Sequence, residues 1–223
     1  MLVKCPHKTR LGDSIAAVNN ACHLSKNGMG EALLVPNNKI FAWGPNQTRR
    51  AIDCFRFALS LFDLGPIKSS LEDRHGKPLP KLPESCYLNH AIPIAKENPD
   101  LILLDLEPRT GLNKFDDKLK KMIWDRAHEL GTPIDLHGEA NKNGLQSTVD
   151  LFKRAKCFIG ADSGFAHASH ALDVPCFMFR NKGPIGRMER WHRYNQYTLV
   201  NSPADIMISP APPVRISRDT GSW

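Results

Sequence analysis

The chain has 223 residues, 41% of them hydrophobic, and carries 30 Lys/Arg against 23 Asp/Glu for a net charge of +7. That length fits one large α/β domain or two small ones, and the composition is that of a folded protein rather than a disordered or fibrous one. No run approaches the roughly 20 apolar residues of a membrane span, and the N-terminal MLVKCPHKTR lacks the apolar core of a signal peptide.

The six cysteines (5, 22, 54, 86, 157, 176) are scattered, with no C-x-x-C pair. Reduced, buried thiols and a cytoplasmic location are expected, and no structural zinc. The charge is uneven. Residues 1–98 carry 13 Lys/Arg against 8 Asp/Glu, a balance of +5, and residues 99–223 carry 17 against 15, a balance of +2. A basic first half points either to an acidic partner (nucleic acid, a phosphorylated glycan, an anionic membrane surface) or simply to a solvated basic face.

Met1–Cys5 predicts a strand. After a polar loop, Ile15, Val18, Ala21 and Cys22 fall at helical spacing, predicting a helix to about Lys26 that Asn27-Gly28 ends. Glu31–Val35 and Lys39–Trp43 read as strands joined by Pro36-Asn37-Asn38. Arg49–Leu64 predicts a helix with Ile52, Phe55, Leu59 and Phe62 as its buried stripe. Residues 65–84 are rich in Pro, Lys and Ser and read as a loop, in which His75-Gly76-Lys77-Pro78 either touches a ligand or lies on the surface. Cys86–Leu88 reads as a further strand and Ala91–Lys96 as a short helical link.

Glu97-Asn98-Pro99 is the expected boundary, because the pattern then restarts. Leu101–Leu106 predicts a strand and Lys114–Leu130 a helix burying Phe115, Leu119, Met122, Ile123 and Leu130. Pro133–His137 predicts a strand, Gly138–Gly144 a loop, and Gln146–Lys156 a helix. Cys157–Arg180 then reads strand, small-residue turn, helix, strand. Residues 181–193 are dense in Arg, Tyr197–Val200 predicts a last strand, and four prolines keep 201–223 from forming one regular element. The predicted class is α/β, with two Rossmann-like parallel-sheet domains at 1–98 and 99–200 and a Pro-rich tail free to cross back over the first.

The sharpest constellation is Asp162-Ser163-Gly164 with His167. It follows an apolar strand and opens a helix, where free backbone N–H groups and the helix dipole suit a phosphate. Ser163 offers a hydroxyl and an N–H, Gly164 permits close backbone approach, and His167 lies one turn on. The alternative is that Asp162 or Ser163 only caps the helix, with His167 structural. His170 reads as structural.

Residues 145–180, LQSTVDLFKRAKCFIGADSGFAHASHALDVPCFMFR, resemble the donor-binding segment of the ADP-heptose:lipopolysaccharide heptosyltransferase family. Asp162, Ser163, Gly164, His167 and Pro175 stand where that family has D-S-G-x-x-H and a proline before the next strand. Arg10-Leu11-Gly12-Asp13-Ser14-Ile15 resembles its N-terminal loop, in which the Asp is general base on the acceptor hydroxyl. An N-cap aspartate is the other role open to Asp13.

The resemblance implies a minimal GT-B glycosyltransferase, inverting and metal-independent, with no bound cofactor. A nucleoside-diphosphate sugar would be held by Asp162, Ser163, Gly164 and His167. Arg109, with Lys114 in reserve, would offset the leaving diphosphate, and Glu139 would meet a ribose. Gly12, Arg10 and Ser14 would lie on the acceptor side of Asp13. Arg180, Lys182, Arg187, Arg190 and Arg193 would meet the donor or a polyanion, or form an exposed face. Trp191 and Tyr194 among them would stack on a base or sugar, or pack.

Members of that family are longer by roughly a hundred residues, so their lipopolysaccharide acceptor does not carry over. A saccharide or a modified DNA base is the expected acceptor. The competing expectations are a non-catalytic nucleotide or nucleic-acid binding module and an unrelated α/β enzyme such as an epimerase, although no G-x-G-x-x-G is present.

Overall fold

A computed structural model of the chain describes residues 2–6, 10–26, 31–35, 39–44, 47–61, 68–69, 100–107, 115–172, 174–179 and 197–208. The first part runs β1 (Leu2–Pro6), α1 (Leu11–Lys26), β2 (Glu31–Val35), β3 (Ile40–Gly44), β4 (Gln47–Arg50), α2 (Ala51–Leu59) and β5 (Lys68–Ser69). The second runs β6 (Leu101–Asp105), α3 (Asp117–Leu130), β7 (Thr132–Asp135), α4 (Leu136–Asn143), α5 (Ser147–Arg154), β8 (Ala155–Gly160), α6 (Gly164–Ala171), β9 (Cys176–Phe179) and β10 (Tyr197–Val200).

Both main sheets are parallel, as alternating strands and helices require. β1, β2 and β5 form one, in that order. The other has five strands in the order β7-β6-β8-β9-β10. Its chain order reverses between β6 and β8, and in open α/β sheets ligands bind beyond the carboxyl ends of the strands at such a point.

The five-stranded sheet is buried on both faces. Leu101, Leu103, Phe158, Cys176 and Met178 point into one core, and Ile102, Leu104, Cys157, Ile159, Phe177 and Phe179 into the other. This is the period-two alternation of a strand. On the second face lie Ile123 and Ala127 of α3, with Ile206 beyond a 3-10 turn at Pro203–Asp205. On the first lie Ala140 of α4, Val149 and Phe152 of α5, and Phe165, Ala166 and Ala168 of α6.

That first core also takes in Leu11, Ile15, Val18, Ala21 and Cys22 of α1 and Cys54, Phe57 and Ala58 of α2. Phe57 meets Phe152 and Phe165 edge-on, each at 6.4 Å between ring centroids. Helix α1 is buried on several sides at once: Ser14, Ala16, Ala17 and Asn19 are buried along with its apolar stripe.

Four elements differ from expectation. Gln47–Arg50 is a strand antiparallel to β3, so Arg49 and Arg50, expected to start the helix, lie in a strand instead. The helix therefore begins at Ala51, and its buried set is Ala51, Cys54, Phe55, Phe57 and Ala58, with Ile52 and Leu59 only half-buried. Phe62 lies outside the described residues. Leu136–Asn143 is helical, where Leu136 and His137 were expected to end a strand and 138–144 to be a loop, because Asp135 caps it by accepting from the N–H of His137 and Gly138.

Helix α3 starts at Asp117, capped by Asp116, whose carboxylate accepts from Leu119 N–H at 2.7 Å. It buries Ile123 and Ala127, one i, i+4 strip, and leaves Met122 44% exposed. Lastly, residues 201–208 stay on the second part: Arg126 of α3 donates to the Ile206 carbonyl at 2.9 Å. Residues 209–223, and the readings at 75–78, 86–88 and 91–96, lie outside the described residues.

Cys22, Cys54, Cys157 and Cys176 are buried thiols outside any disulfide, as expected. Burial pushes the Cys54 and Cys157 thiols up to about 12, which keeps them protonated at neutral pH. No helix among the described residues is long and apolar enough to cross a membrane.

Phe57 is the aromatic joint between α2 and the second part, so Phe57→Ala should remove about 3–5 kcal/mol of stability. Met122→Gln, on the exposed side of α3, should change it by less than about 0.5 kcal/mol. Urea midpoints at constant m-value measure both, and a costly Met122 change would restore the wider stripe read from the sequence.

Candidate functional site

The N-terminal turns of α1 and α6 meet. A β-carbon built on Gly164 would fall 2.6 Å from Leu11 Cβ, and one built on Gly12 would fall 2.8 Å from His167 Cδ2. Real Cβ contacts do not come this close, so each helix presents a glycine to a side chain of the other, and only glycine allows the approach. Two segments about 150 residues apart in sequence are thereby joined at their helix starts.

The contact closes one side of a cleft of about 180 Å³ lined by Arg10, Gly12, Asp13, Asp162, Ser163, Gly164 and His167. All seven belong to the two motifs singled out in the sequence, and Arg10 is an exposed cation among them. Ser163 is the N-cap of α6, with extended backbone, and its hydroxyl accepts from Ala166 N–H at 3.3 Å. The capping alternative therefore describes Ser163. The Gly164 and Phe165 N–H groups lie in the same first turn, at the positive end of the helix dipole.

Asp13 is the third residue of α1 rather than its N-cap. A carboxylate in the first turn complements the macrodipole. Asp13 is half-buried in the cleft wall.

Three expected site residues are not in this group. Ser14 is fully buried, and its hydroxyl and N–H both donate to the Arg10 carbonyl at 2.9 Å. It secures the first turn of α1 instead of facing the cleft. Glu139 lies on α4, where its carboxylate accepts from Asn143 Nδ2 at 2.8 Å. Arg109 lies outside the described residues, as do Lys114, Arg180, Lys182, Arg187, Arg190, Trp191, Arg193 and Tyr194. His170 is buried, in keeping with a structural role.

One pair was not foreseen. Asp105 ends β6, is fully buried, and lies with Oδ1 3.1 Å from His137 Nε2 at the start of α4. Burial alone would lower the His137 pKa. The Asp105 carboxylate close beside it, with Asp135 and Glu107 further off, outweighs burial and raises the pKa above its ordinary value. The available signal was a single acidic residue at the end of the apolar run Leu101–Leu106. Among the described residues, no group of three or more His, Cys, Asp or Glu is disposed to hold a metal.

No protein-family model, curated protein or solved structure matches the chain.

Two outcomes follow from this geometry. Gly164→Ala forces a methyl into Leu11 and should cost about 1–3 kcal/mol, read from the denaturant midpoint. His137 has its folded pKa raised above 6.5. Its contribution to stability is thus fully present below about pH 6.5 and lost as pH rises through the folded value. Asp105→Asn should flatten that slope, and an unchanged pH–stability curve would show that the pair is not coupled.

Proposed function

We propose that the chain is an inverting glycosyltransferase of minimal GT-B type, which moves a sugar from a nucleoside-diphosphate donor to an acceptor hydroxyl. The observation that supports it most is the meeting of Arg10-Leu11-Gly12-Asp13 and Asp162-Ser163-Gly164 with His167 around one cleft. These are the two segments that resemble the heptosyltransferase family, and they sit far apart in the sequence.

In this reading the first turn of α6 holds the donor diphosphate with the Gly164 and Phe165 N–H groups, the Ser163 hydroxyl and His167. Arg10 adds positive charge at the rim. Asp13 takes the proton of the acceptor hydroxyl as its oxygen attacks the anomeric carbon. The bond from that carbon to the diphosphate oxygen breaks, and the diphosphate leaves with the electron pair. A single displacement inverts the anomeric centre. At about 180 Å³ the cleft suits the phosphate-bearing part of the donor rather than a whole nucleotide-sugar, since drug-sized ligands take roughly 300–1,000 Å³.

The acceptor is a saccharide or a modified base in DNA. The +5 balance of residues 1–98 favours an acidic one, and Lys39, Arg50 and Arg56 are exposed there. Duplex binding that weakens steeply with salt in a gel shift would select DNA.

The direct test is a thermal-shift screen of nucleoside diphosphates and their sugars. One of them should raise Tm, because a ligand at 100 times its Kd stabilises by about 2.7 kcal/mol. Asp13→Asn should lower sugar transfer by about 10²–10⁴-fold while keeping nucleotide affinity. If no nucleoside diphosphate moves Tm, the donor assignment is wrong. Binding without transfer, equal in parent and Asp13→Asn, would leave a nucleotide-binding module instead.

A further inference from the structure

Beneath the cleft lies the buried pair that the proposed reaction does not use. Asp105 is the last residue of β6 and pairs in register with Gly160, the last residue of β8. The chain leaves β8 there for the Ala161–Ser163 turn that lines the cleft. His137 follows the carboxyl end of β7, with Nε2 3.1 Å from Asp105 Oδ1. Its ring meets Phe165 edge-on at 5.7 Å and 89°. Phe165 is fully buried and adjoins Gly164, the glycine pressed against Leu11. A continuous path thus runs from Asp105 through His137 and Phe165 to the N-terminal turn of α6, at the point where the sheet order reverses.

We propose that His137, held by Asp105, is a positioning residue. It fixes the first turn of α6 through Phe165 and so sets the affinity of the cleft for a phosphate-bearing ligand. The proposal rests on the reading of the cleft as a diphosphate site. His137 touches no ligand in it and acts through the turn.

The pair is suited to this because neither partner is easily moved. Asp105 is closed off from solvent, so an imidazolium beside it is the charge that balances it there. The charged groups around His137 are Asp105 and Glu107 at the end of β6 and Asp135 at the end of β7. Its own helix adds Glu139, which is engaged by Asn143. Arg49, from β4, reaches the far end of that helix at the Ala140 carbonyl. From α6 it is the uncharged Phe165 that meets the ring. Loss of the imidazole proton leaves Asp105 as a buried lone charge and loosens the seat of Phe165. Anion affinity should then fall with rising pH, apart from any fall caused by His167 inside the cleft.

The probe is inorganic pyrophosphate, titrated calorimetrically into the full chain between about pH 5.5 and 9, on either side of the ordinary histidine value of roughly 6.5. His167→Gln removes the cleft's own imidazole, and a pH-dependent fall in affinity should remain. His137→Gln should bind about tenfold more weakly at the acid end, the scale expected for losing the outer partner of a binding group. It should also lack that remaining fall. Asp105→Asn should move the fall to lower pH, and Phe165→Leu should weaken binding while the pair itself stays intact. If His137→Gln does not fold, the Asp105 and Phe165 variants carry the test.

A purely structural His137 would lower Tm yet leave affinity and pH profile unchanged, which overturns the proposal. So does a flat profile in His167→Gln. A parent that does not bind pyrophosphate, or binds it unaltered by both Arg10→Ala and His167→Gln, overturns the diphosphate site itself and this proposal with it.

Discussion

Two helices start against each other, and the site exists because they do. Gly12 lies under His167 and Gly164 under Leu11, so the positive ends of α1 and α6 share one small space. Each such end carries roughly half a unit of positive charge and several N–H groups with no partner in the helix. Bringing two together is unfavourable unless negative charge lies between them. The chain supplies some of its own in Asp13 and Asp162, which line the same cleft. On the proposed reading, an incoming diphosphate would have to displace or tolerate those carboxylates. Arg10 lines the same cleft and, with the two helix ends, supplies opposing charge. The cleft is thus close to balanced, and on the proposed reading a preference for a diphosphate would rest on N–H geometry more than on excess charge.

That geometry is only as exact as the placement of α1. Isolated helices of this length are marginal, and their positions come from packing. Here Leu11, Ile15, Val18 and Cys22 join the core built on β6, β8 and β9, while Ala16 and Ala17 are buried as well. A helix buried on several sides cannot roll without opening a void on one side and overpacking another. Asp13 is therefore aimed by residues one to three turns below it. None of them has any chemistry of its own.

The parts of the fold set by local pattern were legible. The strands at 101–105 and 176–179 and the centre of β8 at 157–159 are apolar runs, and the turn Asp162-Ser163-Gly164 is marked by its composition. Both halves of the cleft could be named from sequence. Their meeting could not, because it depends on two glycines matching two side chains about 150 residues away. The strand Gln47–Arg50 was hidden by its polarity, since β4 pairs, among the described residues, only with β3 and has no apolar alternation to display. Helix α4 was hidden by the glycine in His137-Gly138-Glu139-Ala140, and it forms because Asp135 caps it. The pairing of Asp105 with His137 joins the ends of neighbouring strands, a contact that no periodicity records. Glu139 was more conspicuous than His137 in the same stretch, yet it is engaged within its own helix.

The shared core also bears on how a ligand enters. A cleft between two parts of a chain invites a hinge, yet Phe57 lies between Phe152 and Phe165, and Leu11 lies against Gly164. Swinging the first part away would expose both side chains, at roughly 1.5–3 kcal/mol each. It would also break the bond from Arg49 to the Ala140 carbonyl, 3.2 Å long, which satisfies one of the last carbonyls of α4. Roughly 3–6 kcal/mol for the two apolar groups alone makes a fully opened form rarer than about one molecule in a hundred. If the proposed site binds its ligand, exchange on ordinary timescales then has to use the rim. There the exposed Arg10 is the lining side chain with room to move, while Gly12, Asp13 and His167 stay fixed by the helices that carry them.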